Sequence, residues 1–336
     1  MNKKIIIIII SVIAVALLVF GIISLYNHTH TRQKYEDKLV QIEQGDIYSS
    51  AFPIAWEQLK GIMRRDISYS GEKSKLLEEL NKSENEKDNV SEDKYYVVVE
   101  KNSQDLKKAI IENVGTKYSI DARGMLDNRN FKDNEKSFTL FAKLDPQFSF
   151  TPAFDKLTQN STFADGTNEI SYFGVAQNSS DKARESIKVL FYNDKNDFAI
   201  KISADTEEII LYRTDKLDGA FDELYEKVKN KKTRALAEKE SVLIPYISLE
   251  TLISYDELCN RTIQGTNKLF VQNALQSIKF ELGQEGSLAA QSAIMEGAET
   301  SDKSFNFNDK FVIFVKETEK AEPYFSLKIK DDALLQ

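Results

Sequence analysis

The hydrophobic positions of this chain fall into three regimes. From Ile5 to Leu25 the residues are apolar without interruption except at Ser11, Gly21 and Ser24. As a helix, a run of this length crosses about 30 Å of hydrocarbon. Residues 1–4 carry Lys3 and Lys4, which places this tip in the cytoplasm and everything after Tyr26 on the other side. The stretch Ile23-Ser24-Leu25-Tyr26-Asn27 offers no good small-residue cleavage site, so an uncleaved signal anchor over residues 5–25 is expected. A single-pass membrane protein with its domain in the periplasm or extracellular space follows, the alternative being secretion after cleavage.

The second regime, residues 26–94, is mostly polar. Residues 26–46 suit a short helical juxtamembrane stalk, charged from Thr31 to Asp46. Phe52, Trp56, Leu59 and Met63 then recur at helical spacing behind Ser49-Ser50, which predicts an amphipathic helix with a Ser cap. From Glu72 to Lys94 the few apolar residues predict a short helix running into a flexible charged link.

The third regime, residues 95–336, is a domain. Tyr95–Val99 has the β-branched and aromatic character of a central strand, and Leu106, Ile110, Ile111 and Val114 mark a helix that Gly115 is expected to cap. Strands are expected at Lys117–Ala122, Phe138–Lys143, Ile170–Gly174, Ile187–Tyr192, Phe198–Ser203, Glu208–Arg213, Val242–Ile247, Ile278–Leu282, Phe311–Lys316 and Tyr324–Ile329. Helices are expected at Phe221–Lys229 and Thr251–Asn260. The sum is an α+β fold with helices gathered near its N-terminal side.

Composition removes whole classes of function. Forty-five Lys and Arg face 53 Asp and Glu, a net charge of −8, so nucleic acid is not an expected partner. His28 and His30 are the only histidines, which leaves the domain without a Ser-His-Asp or Cys-His nucleophile and without ordinary histidine zinc sites. Neither GxxxxGK[ST] nor GxGxxG occurs. Cys259 is the single cysteine, so no intrachain disulfide staples the fold. Neither an enzyme nor a cofactor is expected.

One connection is too long for the pattern around it. Between the strand ending at Leu282 and the apolar strand from Phe311, residues Gly283 to Ser304 are Ser- and Ala-rich at first and polar afterwards. Loops of this length inside a compact domain are functional or disordered. Within it, Gln284-Glu285-Gly286-Ser287-Leu288-Ala289-Ala290 resembles the hinge of the serpins, Glu-Glu-Gly-Thr-x-Ala-Ala-Ala. Phe307-Asn308-Asp309-Lys310-Phe311-Val312-Ile313-Phe314 resembles the Phe-x-x-Pro-Phe-x-Phe segment that follows the serpin reactive loop, and Tyr324–Ile329 the closing strand. Phe148–Phe154 with Thr158, Phe163 and Asp165-Gly166 is similar to the family's Trp-x-x-x-Phe…Thr…Phe region, so the likeness spans roughly Tyr95–Ile329.

The resemblance implies a serpin-like α+β fold of mixed sheets with N-terminal helices and an exposed reactive-centre loop near the C-terminus. It implies a trap for a serine or cysteine protease, in which the cut loop enters a sheet as a new strand. The hinge would be Glu285, Gly286, Ser287, Ala289, Ala290, Gln291, Ser292 and Ala293, with Ser287, Ala289, Gln291 and Ala293 on the face that becomes buried. The scissile region would be Glu299, Thr300 and Ser301. Two departures bear on this. The Asn-x-x-x-Ser-Pro-x-Ser stretch that helps the sheet open has no counterpart between Met63 and Lys94, and Asn128–Ser137 is too short for the helix that covers the front of the main sheet. A non-inhibitory binding module on the same fold is the alternative.

Overall fold

The computed structural model describes residues 39–71, 74–287, 294–295 and 303–336. The expected anchor at 5–25, the hinge positions Ala289 to Ala293 and the scissile positions Glu299 to Ser301 lie outside the described residues. Among the described residues no helix is long and apolar enough to cross a membrane.

Three sheets carry the domain. The largest orders β1 (Ile47–Ser49), β16 (Phe325–Ile329), β15 (Phe311–Glu317), β8 (Glu207–Arg213), β7 (Asp197–Ser203), β6 (Ile187–Asp194) and β9 (Arg234–Ala235). A five-stranded sheet orders β13 (Ile294–Met295), β4 (Asp155–Ser161), β5 (Ile170–Val175), β10 (Glu240–Pro245) and β14 (Lys303–Asn306). The third sheet orders β11 (Ile247–Ser254), β12 (Phe270–Leu282), β3 (Asn134–Leu144) and β2 (Tyr95–Asn102). In this last sheet the outer pairs are antiparallel, while β12 and β3 run parallel with Ile278 opposite Leu144.

Both faces of that sheet are covered. Behind it lies α1 (Ala51–Met63), whose Phe52, Ala55, Trp56 and Leu59 are buried in the main core, with Phe52 stacked on Tyr255 at 4.0 Å between centroids. Spacing of three and four puts these residues on one face, so burial rather than propensity selects the helix. Ser50 does not cap it. Its hydroxyl donates to Glu86, and Ser49 Oγ accepts from Ala51 N instead. The link after the short helix α2 (Lys75–Lys82) is held in place rather than loose: Glu86 also accepts from Tyr48 and Ser83, and Asn81 bonds Trp56 and both backbone groups of Ile67.

In front lie α3 (Gln104–Tyr118) and α4 (Arg123–Leu126). Their Leu106, Ile110, Val114, Met125 and Leu126 form one apolar cluster with Phe131, with Phe141 of β3 and with Leu275 of β12. Phe141 and Leu275 are opposed across the parallel pair, so the helices sit over the line where β3 and β12 meet. Asn128–Ser137 holds no helix, as its length implies, and this face is covered instead from between β2 and β3, upstream of Asn128.

Other expectations change for identifiable reasons. The helix α3 runs through Gly115 to Tyr118 and ends on left-handed Ser119, so Lys117–Ala122 is not a strand. Glycine costs about 1 kcal/mol inside a helix, and burial of Val114 beside it outweighs that. Where a helix was expected at Thr251–Asn260, β11 continues to Ser254 with Leu249, Thr251 and Ile253 turned inward, and only Asp256–Leu258 forms a 3-10 turn. The strand β12 starts eight residues before Ile278, since Asn273 and Gln276 find buried polar partners there. A stalk reaching Asp46 is also shortened, because Val40 already bonds the edge of β11 through Glu250 and Thr251. The polar end of the long loop closes early, with β14 pairing parallel to β10. The shorter helices α5 (Asp181–Glu185) and α6 (Phe221–Glu226) both pack on the largest sheet, α5 beside β6 with Ala183 in the main core and α6 on the outer apolar face.

Candidate functional site

The site is the fork where β3 and β12 part. Their pairing ends at Leu144 and Ile278, and β12 runs on to Leu282 along β11. The chain then reverses in a two-residue turn: Gly283 and Gly286 exchange both backbone hydrogen bonds, at 2.9 and 3.0 Å. Gly286 and Ser287 therefore run back between the end of β12 on one side and residues 148–150 on the other. Gly286 bridges Ser149 in antiparallel sense, Ser287 N donates to Phe148 O at 3.0 Å, and Phe150 N donates to Glu285 O at 3.1 Å. Ser287 is 5% exposed, and its hydroxyl lies 2.9 Å from Phe148 N and 3.0 Å from Phe148 O, so it accepts from the first and donates to the second.

Glycine is required at 286. Its φ is +103°, and a Cβ there would stand 2.4 Å from Phe148 O and 2.8 Å from Ser149 Cα. Upstream, buried Gln284 accepts a 2.6 Å bond from Tyr246 OH and lends its carbonyl to Phe154 N. Burial, with the Glu285 carboxylate adding, pushes the Tyr246 phenol up to about 12, so it stays a donor at neutral pH.

Three of the expected hinge residues, Glu285, Gly286 and Ser287, are thus brought together in the fork. Their partners Phe148, Ser149 and Phe150 lie more than a hundred residues upstream, and only the Phe148–Phe154 motif pointed toward them. The residues that hold these partners carried no signal of their own. Asp205, in the turn between β7 and β8, accepts from Ser149 N at 3.2 Å and from Ser149 Oγ at 3.1 Å, while its own N donates to Ser149 O.

Along the seam below the fork, three polar groups on β3 and β12 are buried without a hydrogen-bond partner among the described residues: Lys143 Nζ, Ser277 Oγ and Gln276 Nε2. Lys143 and Ser277 are opposed across the seam on its front, beneath Tyr118, whose hydroxyl is also unbonded. The Lys143 side chain is 1% exposed, and the nearest carboxylate oxygen, of Asp145, is 3.9 Å away. Burial pushes the Lys143 ammonium below the usual lysine range, with Asp145 and Glu250 pulling the other way and Lys279 adding to the shift. Burial likewise raises the Asp145 carboxyl, opposed by Lys143 and by the bond from Gln147. No group of three or more His, Cys, Asp or Glu that could hold a metal ion occurs among the described residues.

No protein-family model matches the chain, and no curated protein matches it. Solved structures do. Mouse protein-Z dependent protease inhibitor superposes with a TM-score of 0.56 at 13% identity, over 85% of this chain and 91% of that one. Serpin48 of the insect Tenebrio molitor gives 0.49 at 12% identity, over 85% and 92%. Thyroxine-binding globulin in complex with thyroxine gives 0.49 at 12% identity, over 66% of this chain and 63% of that one. Only the first of these three exceeds 0.5, and at its identity it establishes the fold and nothing finer: the chain has a serpin-like α+β fold.

Proposed function

We propose that this serpin-like fold acts as a membrane-tethered, extracytoplasmic inhibitor of a serine or cysteine protease, with residues 5–25 as its anchor. The observation that carries the reading is Ser287 in the fork: the chain has already turned back, antiparallel to the end of β12 and to residues 148–150. A target protease would cut near Glu299, Thr300 or Ser301. Its nucleophilic oxygen or sulfur bonds to the carbonyl carbon as the C–N bond breaks, and the new amine leaves with the proton. The freed hinge then zips along the seam before water reaches the acyl bond.

We infer the register of that strand from the two bridges already made. Counting one residue per step from the Gly283–Gly286 and Ser149–Gly286 bridges carries Ser292 between Lys143 and Ser277. Ala293 falls between Ala142 and Gln276, and Ile294 between the apolar pair Phe141 and Leu275. Gln291, on the inner face, comes one diagonal step from Gln276, within reach across strands. The incoming polar residues therefore meet the three unbonded groups of the closed seam. Each buried unsatisfied group costs about 1–3 kcal/mol, so a closed seam holding them favours opening. Insertion also requires Ile294 and Met295 to leave their parallel pairing with Lys156 and Leu157.

The test is the thermal midpoint of the soluble fragment from Gln44 onward, before and after one cut within residues 296–303. A rise of tens of degrees is expected. An unchanged or lower midpoint, or full inhibition retained by Ala289→Arg, removes the insertion mechanism.

A second reading, a non-inhibitory binding module, is favoured by one cavity. Between α6 and strands β15 and β16 lies a space of about 360 Å³ lined by Tyr48, Phe221, Tyr225 and Phe314 with Glu86 and Glu322. Lys229 and Lys328 already place ammonium groups over the Tyr225 and Phe221 rings, so an aromatic or organic cation is the ligand class that suits it. Saturable binding of an aromatic amine, unchanged by cutting the loop, in a protein that gains no stability on cutting, would favour this reading over the first.

A further inference from the structure

The insertion mechanism needs residues 148–150 held in a fixed place, because they form one wall of the fork the hinge enters. These residues lie beyond the last paired residue of β3, Leu144, and no neighbouring strand of their own sheet carries them. What carries them is the turn of another sheet. The β7–β8 turn reaches across with Asp205, whose backbone N donates to Ser149 O at 3.1 Å. Its carboxylate accepts from Ser149 N and Ser149 Oγ, and one oxygen also accepts from Thr206 N at 3.0 Å, which fixes the carboxylate to its own turn.

We propose that Asp205 is a positioning residue for the hinge: by clasping both backbone groups and the hydroxyl of Ser149, it holds residues 148–150 in register with Glu285, Gly286 and Ser287. Three consecutive couplings make the chain of contact. Asp205 bonds Ser149, Ser149 bridges Gly286, and the flanking Phe148 and Phe150 exchange bonds with Ser287 and Glu285. The two backbone bonds hold the peptide groups on either side of Ser149, and the hydroxyl bond adds to them. The carboxylate is suited to the task, because hydrogen bonds to an ionised acceptor are about twice as strong as neutral ones. The β7–β8 strands themselves are anchored rigidly, with buried Glu207 beside the turn in an ion pair with Lys94 at the start of β2. The largest sheet thus sets the position of the fork in the third sheet.

This inference rests on the insertion mechanism for its consequence, but its test does not. In the uncut protein, amide hydrogen exchange is measured at Phe150, Gly286 and Ser287 and compared with that of β15 and β16, for the natural chain, Asp205→Ala and Asp205→Asn. Loss of the clasp in Asp205→Ala should raise exchange at those three amides about tenfold while leaving β15 and β16 unchanged. Asp205→Asn keeps one acceptor oxygen and should restore most of the protection. Unchanged exchange at the hinge overturns the proposal, and so does a uniform rise across the domain or an Asn variant as open as the Ala one. If Asp205→Ala does not fold, Ser149→Ala, which removes only the hydroxyl bond, should still raise exchange at the same amides by a smaller factor, and its failure to do so overturns the proposal. A natural chain that gains no stability on cutting would instead remove the insertion mechanism and leave these exchange results standing.

Discussion

Replacing Lys143 by methionine is the sharpest perturbation of the seam. Methionine matches the length of the lysine stem and removes the buried ammonium. In the closed sheet that ammonium has no hydrogen bond and one carboxylate oxygen 3.9 Å away, too far to bond. Replacing both members of a buried ion pair by apolar groups is neutral to stabilising by about 1–4 kcal/mol, and an unbonded ammonium 3.9 Å from its carboxylate stands close to that case because it has little pairing to lose. Asp145 loses its nearest cation but keeps the bond from Gln147, and burial already holds its carboxyl above the usual range. Taking roughly 2 kcal/mol as the net gain, and about 2 °C per kcal/mol for a domain of this size, the uncut Lys143→Met protein should melt roughly 4 °C higher. The cut form is different. There, by the proposed insertion, Lys143 would face Ser292 and could donate to its hydroxyl, so the substitution would gain little or lose. The interval between cut and uncut midpoints should therefore shrink by several degrees. Differential scanning calorimetry of both forms measures it, and a lower uncut midpoint with an unchanged interval would falsify the idea that unmet groups at the seam drive opening.

Other expectations follow from the same geometry. Because burial holds the Lys143 ammonium below the usual lysine range, the unfolded chain binds more protons than the folded one between the folded value and about 10.4. Stability of the natural protein should thus rise with pH through that window, and a pH series of denaturant midpoints should show the rise weakened in Lys143→Met. Gly286→Ala places a Cβ against Phe148 O at a φ alanine rarely adopts, so the turn should open at a cost of about 2–3 kcal/mol; limited proteolysis should then cut at Glu285–Ser287 in a protein whose β15 and β16 stay protected. Lys94→Ala leaves Glu207, which is fully buried, without its cation and should lower stability by about 3–5 kcal/mol in urea titration, whether or not the protein inhibits anything. If the strand inserts as proposed, Gln291→Lys would put a charge beside Ile278 and should slow or abolish the gain in stability on cutting, with no effect on the uncut midpoint.

Local signals carried most of the strands. Tyr95–Val99, Phe198–Ser203 and Phe311–Lys316 are buried or half-buried segments whose β-branched and aromatic content says so directly. Glycines and polar residues misled where tertiary contacts decided. Gly115 reads as a stop yet lies inside α3, and Asn273, outside the expected strand Ile278–Leu282, anchors a buried network within β12 with Asn102 and Thr139. At the site the difference is sharper still. Gly286 and Ser287 were legible through a motif, because their conformation and size are needed whatever surrounds them. Lys143 and Asp205 were not, since a lysine in a strand and an aspartate in a turn have ordinary solvent-facing roles, and only the pairing of distant strands gives them others.

The third sheet is antiparallel at both of its outer interfaces and parallel at the central one. A strand entering from Ser287 runs against both β3 and β12, so it would replace one parallel ladder by two antiparallel ladders and leave every neighbour in the sheet oppositely directed. Parallel pairing is slightly the weaker of the two per residue. The sheet's single mismatch of strand direction lies along the line at which its chain begins to turn inward.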